Sequence, residues 1–352
     1  MVRKSNNCCL SIVIFVFPAL VIYLNVSSGG PGFKTRPGDS SSRHSRYQNG
    51  HYKPASEPIN WTVENDKMAA RMASRLKTLK ENCEKFGLSL PSNDSLHRAN
   101  TWEFLINKQY RLVWCNVFKA ASSSWLFNFN VLAGYSPQFL RRQSQAPALS
   151  LARVKYPRPS LSDLESAVSD PAGSVTFVIV RHPFERLLSA YRDKIYNSLP
   201  NTVHRSLSSM ILRKYRPQAA NKSNSRRATF EEFVLYLLDT FRSEESPPGL
   251  DMHWAPIVTF CTPCLVNFNV ILKFETLQED QRYLIDLAGV SHLIKPEWLN
   301  ESKGGATTNQ MIGKFYAELS ADQLYQLYNV YKYDFELFDY TMEEYLEYVR
   351  YP

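Results

Sequence analysis

Two long stretches of the 352-residue chain contain no aspartate or glutamate. The first runs from Phe104 to Ser162 and carries Lys108, Arg111, Lys119, Arg141, Arg142, Arg153, Lys155 and Arg158. The second runs from Lys194 to Phe230 and holds Arg205, Arg213, Lys214, Arg216, Lys222, Arg226 and Arg227. Acids gather instead near the C-terminus, at Asp334, Glu336, Asp339, Glu343, Glu344 and Glu347. On a formal net charge of +8, this asymmetry points to a basic surface facing a polyanion, which is nucleic acid, membrane or acidic glycan. A merely solvated basic face is the plain alternative. A Gly-x-x-x-x-Gly-Lys loop is also missing, which excludes a Walker A nucleotide site. No internal repeat is visible. Cysteine is scarce, at six residues, and Cys261-Thr262-Pro263-Cys264 has no second Cys or His pair at metal spacing. That argues against zinc and leaves Cys83, Cys115, Cys261 and Cys264 as an even set that permits two disulfides in an oxidising compartment. What is present, 44% hydrophobic and 13% aromatic residues, excludes a disordered or collagenous chain and is enough to bury a large core, read as one catalytic-sized domain with N-terminal additions.

The N-terminus narrows the choice of polyanion. Arg3 and Lys4 precede an uncharged stretch from Ser5 to Phe33. Its apolar heart, Leu10 to Val26, is about seventeen residues long, near the lower limit for a membrane-spanning helix. Positive charge on the short N-terminal side predicts that this side stays cytosolic and the rest is lumenal. A cleaved signal peptide ending near Val26-Ser27-Ser28 competes with the uncleaved anchor, which the length of the run and the acylatable Cys8 and Cys9 favour. The expected order is a cytosolic tail (1–9), a signal-anchor (10–26), a stem (27–100) that is rich in Gly, Ser, Pro, Arg and His as far as about Pro58, and a lumenal domain (101–352), with a Golgi membrane location and no nucleic-acid partner. Sequons at Asn60, Asn93, Asn221 and Asn300 agree with that compartment.

The chain is organised around Arg111 to Leu126. An apolar, β-prone run ends at Lys119, the small residues Ala120 and Ala121 follow, then Ser122, Ser123 and Ser124, and a helical apolar pattern through Trp125, Phe127, Phe129, Val131 and Leu132 takes over. Strand, tight loop and helix form an anion cradle: backbone amides at the helix start, the helix dipole, the hydroxyls and the ammonium all favour a phosphate or sulfate. The plain alternative is a buried strand followed by a serine-capped helix. A second strand, Ser174 to Val180, ends in Arg181-His182-Pro183-Phe184-Glu185-Arg186 and a helix whose face Phe184, Leu187, Leu188, Tyr191 and Ile195 packs inward. Arg181, at the carboxyl end of a central strand, stands where ligands bind in open α/β sheets and, with Ser189, reads as a second phosphate clamp. An Arg181/Glu185 or Arg186/Asp193 salt bridge is the competing reading. Glu64 to Phe86 reads as a helix of the stem or of the approach to the domain, Ser136 to Ser160 as a Pro- and Arg-rich connection, and Thr229 to Phe241 as a capped helix. A strand at Val270 to Phe274 and helices at Gln278 to Ala288 and Ala321 to Tyr331 complete the domain.

From about Arg111 to Tyr340 the chain resembles the Golgi carbohydrate sulfotransferases, in particular the chondroitin and dermatan 4-O-sulfotransferase group. The family's Cys-x-x-Pro-Lys segment appears as Cys115-Asn116-Val117-Phe118-Lys119, and its Arg-Asp-Pro-Phe-Glu-Arg-Leu-Leu-Ser-Ala-Tyr-Arg-Asp-Lys segment appears as Arg181 to Lys194 with His182 in place of Asp. His253-Trp254-x-Pro, Cys261-x-x-Cys264 and Lys273-Phe274-Glu275-Thr276-Leu277 are equally typical. Phe118 stands where the family usually has Pro, and Ser122-Ser123-Ser124 replaces its small-residue, Cys, Thr order. The resemblance implies an α/β, P-loop-like sulfotransferase fold with a central, mostly parallel sheet flanked by helices. It also implies 3′-phosphoadenosine 5′-phosphosulfate (PAPS) as sulfate donor, no metal, and an anionic glycosaminoglycan or related glycan as acceptor. Lys119 and the loop Ala120 to Ser124 would then hold the 5′-phosphosulfate, and Arg181 and Ser189 the 3′-phosphate. His253 is the expected general base, because imidazole titrates near neutrality, with Glu275 as the alternative. A catalytically inactive, lectin-like binder of sulfated glycans and, more weakly, a lumenal kinase are the competing functions.

Overall fold

The computed structural model describes residues 63–90, 92, 94–142, 147–216, 227–243, 250–296 and 307–351. The tail, the apolar segment 10–26 and the sequon asparagines Asn60, Asn93, Asn221 and Asn300 lie outside them. No helix among the described residues is long and apolar enough to cross a membrane.

Four short strands form one sheet: β1 (Phe104–Asn107), β2 (Leu112–Cys115), β3 (Val175–Val180) and β4 (Val270–Lys273), in the order β1-β2-β3-β4. β1 and β2 pair antiparallel, with Phe104 opposite Cys115, while β2, β3 and β4 run parallel, with Trp114 opposite Phe177 and Phe177 opposite Val270. The sheet is therefore mostly parallel, as the continuous apolar runs require: every residue of β2 is buried, because helices cover both faces. Trp114 of β2 and Phe177 of β3 stack at 6.0 Å, and Trp125 and Phe129 of the helix after β2 close over Phe177. A second core lies among the helices beyond β3, where Phe184, Leu187, Leu188, Tyr191 and Ile195 are all buried.

Between β2 and β3 run α2 (Ser122–Leu132), α3 (Pro137–Arg142), α4 (Ala148–Lys155) and α5 (Leu161–Val168). The Pro-rich connection expected over 136–160 thus contains two helices. Its prolines mark their boundaries rather than prevent them: Pro137 opens α3 and Pro147 is the N-cap of α4. Between β3 and β4 come α6 (Pro183–Ala190), a π-turn at Tyr191–Tyr196, α7 (Val203–Tyr215), α8 (Phe230–Ser243) and α9 (Ile257–Cys261). At the start of α8, Thr229 and Glu232 cap one another: the Thr229 hydroxyl accepts from the Glu232 amide at 3.1 Å and the Glu232 carboxylate from the Thr229 amide at 2.8 Å. α10 (Leu277–Leu287), α11 (Thr308–Tyr316) and α12 (Ala321–Leu337) follow β4.

The packed domain begins earlier than residue 101. α1 (Val63–Lys85) buries Met68, Met72, Leu79 and Cys83 in the core around the sheet. Arg75 of α1 donates to the Ile271 carbonyl of β4 at 2.8 Å and to the wholly buried Asp280 of α10 at 2.6 Å. The spacing of Met68, Met72, Leu76 and Leu79 announces a helix but not what it packs against; of the two readings, a helix of the stem or of the approach to the domain, this packing fits the second. Two disulfides complete the fastening, Cys83–Cys264 and Cys115–Cys261, closing loops of 181 and 146 residues. The first ties α1 to the segment after α9; the second ties the end of β2 to the end of α9.

The acid-free windows do not present all their charge outward. Arg111 donates to the Ala172 carbonyl at 2.6 Å, Arg153 to the Phe104 carbonyl at 2.6 Å, and Arg216 pairs with the Glu232 carboxylate at 2.8 Å. These three arginines fasten the fold.

Candidate active site

The carboxyl ends of β2, β3 and β4 open on one edge of the sheet, and the segments that follow them bring the candidate residues together. After Cys115 the chain turns through Asn116–Ala121 before α2 begins. Lys119 and Ala121 adopt left-handed backbone, φ 71° and 58°, at a cost on the order of 1–2 kcal/mol for each non-glycine residue. The fully buried Ala120 between them holds the turn in place. Its consequence is direct: the Lys119 carbonyl faces β3 and accepts a hydrogen bond from Arg181 Nη1 at 3.3 Å. Ala121, the N-cap of α2, supplies no side-chain cap, so the positive end of the helix dipole opens on this loop. Ser122 and Ser123 are half-buried there and Ser124 is buried.

Cations dominate this edge. Lys119 Nζ lies 3.0 Å from Asp193 Oδ2, which also meets Lys194 Nζ at 3.3 Å. Arg181 Nη2 pairs with Glu185 Oε2 at 2.9 Å, and its guanidinium lies 4.2 Å from the centre of the Phe274 ring. Burial pushes the Lys119 ammonium below its ordinary range; Asp193 opposes this, and the charges of Lys194 and Arg181 add to it. Arg192 is likewise held down by burial and by Arg181. Lys119, Arg181, Arg192 and Lys194 thus face Glu185 and Asp193, four cations against two carboxylates. A cluster of like charge in a desolvated setting is stabilised by an anion. Ser189, half-buried on α6, sits one helical turn beyond Glu185, the partner of Arg181. Of the two salt bridges weighed from sequence, Arg181/Glu185 forms. Arg186/Asp193 does not, because Asp193 turns to the lysines.

Arg186 has another place. It is 1% exposed, and its guanidinium donates to three carbonyls: Phe118 at 3.0 Å, Met252 at 3.0 Å and Ala255 at 2.7 Å. One side chain of α6 thereby ties the Lys119 loop to the turn that carries His253. The charge is balanced at longer range by buried Asp334, which accepts the Ile257 and Val258 amides at 2.7 and 2.9 Å.

His253 is mostly buried, with its ring centre 4.7 Å from that of Phe118. The aromatic residue found where the family has Pro therefore lies against the candidate base. His253 Nδ1 lies 2.5 Å from Asp251 Oδ1, and Asp251 Oδ2 lies 2.7 Å from Nε2 of His204. The nearest atoms of this trio fall within 4.8 Å of one another, but the His253 amide, at 2.9 Å, and one ring nitrogen of each histidine already occupy the carboxylate. Hydrogen bonding accounts for the arrangement without an ion. Burial lowers the His253 pKa while Asp251 raises it, and the net direction is down. Burial opposes the charge on Asp251, yet its bonds to His253 hold that carboxyl well below the usual range.

Glu275, the alternative base, has both oxygens engaged: Oε1 accepts the His182 amide and Oε2 the Tyr340 hydroxyl, each at 2.8 Å. His182 itself is buried, with its ring against Phe335, Tyr340 and Tyr345 and Nε2 at 2.8 Å from the Thr341 carbonyl. It joins β3 to the C-terminal segment and does not enter the cation cluster's hydrogen bonds.

A family model described as the sulfotransferase family matches residues 102–341. Carbohydrate sulfotransferase 11 of Mus musculus is 32% identical over 266 residues, 73% of this chain and 71% of that one. Carbohydrate sulfotransferase 9 of Homo sapiens is 30% identical over 338 residues, 90% of this chain and 72% of that one. Carbohydrate sulfotransferase 8 of Homo sapiens is 29% identical over 272 residues, 76% of this chain and 62% of that one. No solved structure gives a significant match. The matched span takes in the sheet, the Lys119 loop, Arg181 and His253, and the chain belongs to the sulfotransferase family of enzymes, with carbohydrate sulfotransferases among its relatives.

Proposed function

We propose that the enzyme transfers sulfate from PAPS to a hydroxyl of a glycosaminoglycan or related glycan, the GalNAc 4-hydroxyl of chondroitin or dermatan being the favoured acceptor. One observation carries the reading: the segments expected to grip the two phosphate ends of the donor meet at the hydrogen bond from Arg181 to the Lys119 carbonyl, inside a cluster rich in cations. Family membership supports PAPS as the donor.

The chemistry needs in-line placement of an acceptor hydroxyl, stabilisation of charge on the bridging oxygen, and a base. The acceptor oxygen forms a bond to sulfur as the bond from sulfur to the 5′-phosphate oxygen breaks. The hydroxyl proton passes to Nε2 of His253. Lys119, with Ala120, Ala121, Ser122, Ser123, Ser124 and the start of α2, takes the charge left on the 5′-phosphate. Arg181 and Ser189 hold the 3′-phosphate. Desolvation of Lys119 suits this role, since an ammonium in a low-dielectric setting interacts with an incoming anion more strongly than one in water. No residue's part in this scheme calls for a metal.

The disulfides and the N-terminal apolar segment support a lumenal Golgi domain held by a type II signal-anchor. Incubation of the full chain with ³⁵S-labelled PAPS and a panel of glycans, followed by disaccharide analysis, tests the reading. Label at the GalNAc 4-position is expected. Label on another sugar corrects the acceptor, and label on none favours an inactive glycan binder. Inhibition by adenosine 3′,5′-bisphosphate but not by ATP is the second expected result; the reverse would indicate a kinase.

A further inference from the structure

The reading of His253 as base leaves unexplained why a second histidine is drawn to the same carboxylate. Asp251 stands two residues before His253, and its Oδ1 accepts both the His253 amide, at 2.9 Å, and Nδ1, at 2.5 Å. Its Oδ2 faces Nε2 of His204, at the start of α7, at 2.7 Å. The two imidazoles meet edge-to-face at 5.5 Å, and Phe118 packs on His253. Nδ1 is thus engaged, and among the described residues Nε2 has no hydrogen-bond partner.

We propose that Asp251 and His204 are positioning residues for the transfer: Asp251 fixes the His253 tautomer with its proton on Nδ1 and its lone pair on Nε2, and His204 anchors the carboxylate's other oxygen. This deepens the base reading and rests on it. A carboxylate behind an imidazole both sets its orientation and stabilises the imidazolium formed on proton uptake. The charged groups acting on His253 are Asp251 from its own turn, which favours the protonated ring, and Lys194 of the π-turn and His204 of α7, which disfavour it. Phe118, from the loop, contributes only its ring.

The two substitutions therefore move the pH profile in opposite directions. A base acts when neutral, so kcat rises as pH passes upward through the His253 pKa. Asp251→Asn removes the attraction, moving that limb to lower pH, and its amide can donate to Nδ1 and strand the lone pair there, lowering kcat on the order of tenfold or more. His204→Gln keeps a donor to Asp251 but removes an imidazole, moving the limb to higher pH with KM for PAPS unchanged. The assay uses PAPS and desulfated chondroitin; histidine ¹⁵N NMR of the full chain reads the tautomer independently of turnover. Opposite shifts, with wild-type His253 protonated on Nδ1, support the proposal. Unmoved limbs in both variants overturn it, even where His253→Gln is inactive and the base reading stands. Full activity of His253→Gln removes the base reading and the proposal together. Stoichiometric zinc in the purified protein, with activity lost on chelation, overturns it as well. His204→Gln carries the test alone if thermal unfolding shows that Asp251→Asn does not fold.

Discussion

Arg186 is the residue whose loss is expected to do most damage at a distance. Its guanidinium is buried and hydrogen-bonded to carbonyls of the Lys119 loop and of the 252–255 turn. Hydrogen bonds to a charged group contribute about 1.5–3 kcal/mol each, and a buried carbonyl left without a donor costs about 1–3 kcal/mol. Against three such bonds stands the desolvation of the guanidinium itself, several kcal/mol, which an apolar replacement recovers. The balance for Arg186→Met is a destabilisation of about 3–5 kcal/mol, and for a domain of this size each kcal/mol lowers Tm by roughly 2 °C or slightly more. A fall of about 6–10 °C is expected by calorimetry. Arg186→Lys keeps the charge but reaches fewer of three diverging carbonyls, so its Tm should fall between the two. In both variants kcat should drop more than KM for PAPS rises if His253 is the base, because the turn that carries it loses its tie to the loop while Arg181 keeps its place after β3. Wild-type kcat and a Tm within about 2 °C in Arg186→Met would refute the reasoning.

Reduction of the disulfides removes crosslinks spanning 146 and 181 residues, each worth up to about 5 kcal/mol in the loop-entropy account; a large fall in Tm with dithiothreitol checks this. Met72→Ala, at a side chain 2% exposed, should cost about 2–5 kcal/mol by urea unfolding, whereas a stem residue would cost almost nothing. Burial pushes the Asp334 carboxyl up to about 6, against the opposing charge of Arg186 and the two amides it accepts. The folded protein then holds a proton that the unfolded chain releases near pH 4, so this group's contribution to stability falls as pH rises from about 4 to about 6. Asp334→Asn should flatten that part of the Tm–pH curve.

The sequence made legible whatever is written locally. β2 with its loop and α2, β3 with α6, and the capped α8 follow from apolar runs, a proline at a first helical turn and a Thr-x-x-Glu box. Lys119 and Arg181 stood out because a cation at the end of a buried strand has few packing reasons to be there. Partnerships across the chain left no such mark. Arg186 meets Met252 and Ala255 across more than sixty residues, and His204 meets Asp251 across 47. No periodicity connects them. The helical spacing of α1 leaves its place open between stem and domain, because Arg75, a charged residue of the kind that usually faces solvent, finds a buried partner in Asp280 more than two hundred residues away. α3 and α4 are hidden in what reads as a Pro- and Arg-rich connection, because Pro137 and Pro147 mark helix starts there. Sign and number of charges are visible in a sequence, but not which of them are taken up by the fold's own carbonyls and carboxylates, as those of Arg111, Arg153 and Arg216 are.

The most direct test of the account is the rate at which Lys119→Ala moves ³⁵S from labelled PAPS to desulfated chondroitin, compared with the wild type at saturating substrates. If the ammonium takes charge from the leaving phosphate, the loss is on the order of 3 kcal/mol at the transition state, a fall in kcat of about a hundredfold or more. Transfer by a folded Lys119→Ala enzyme within a few fold of the wild-type rate would contradict the account.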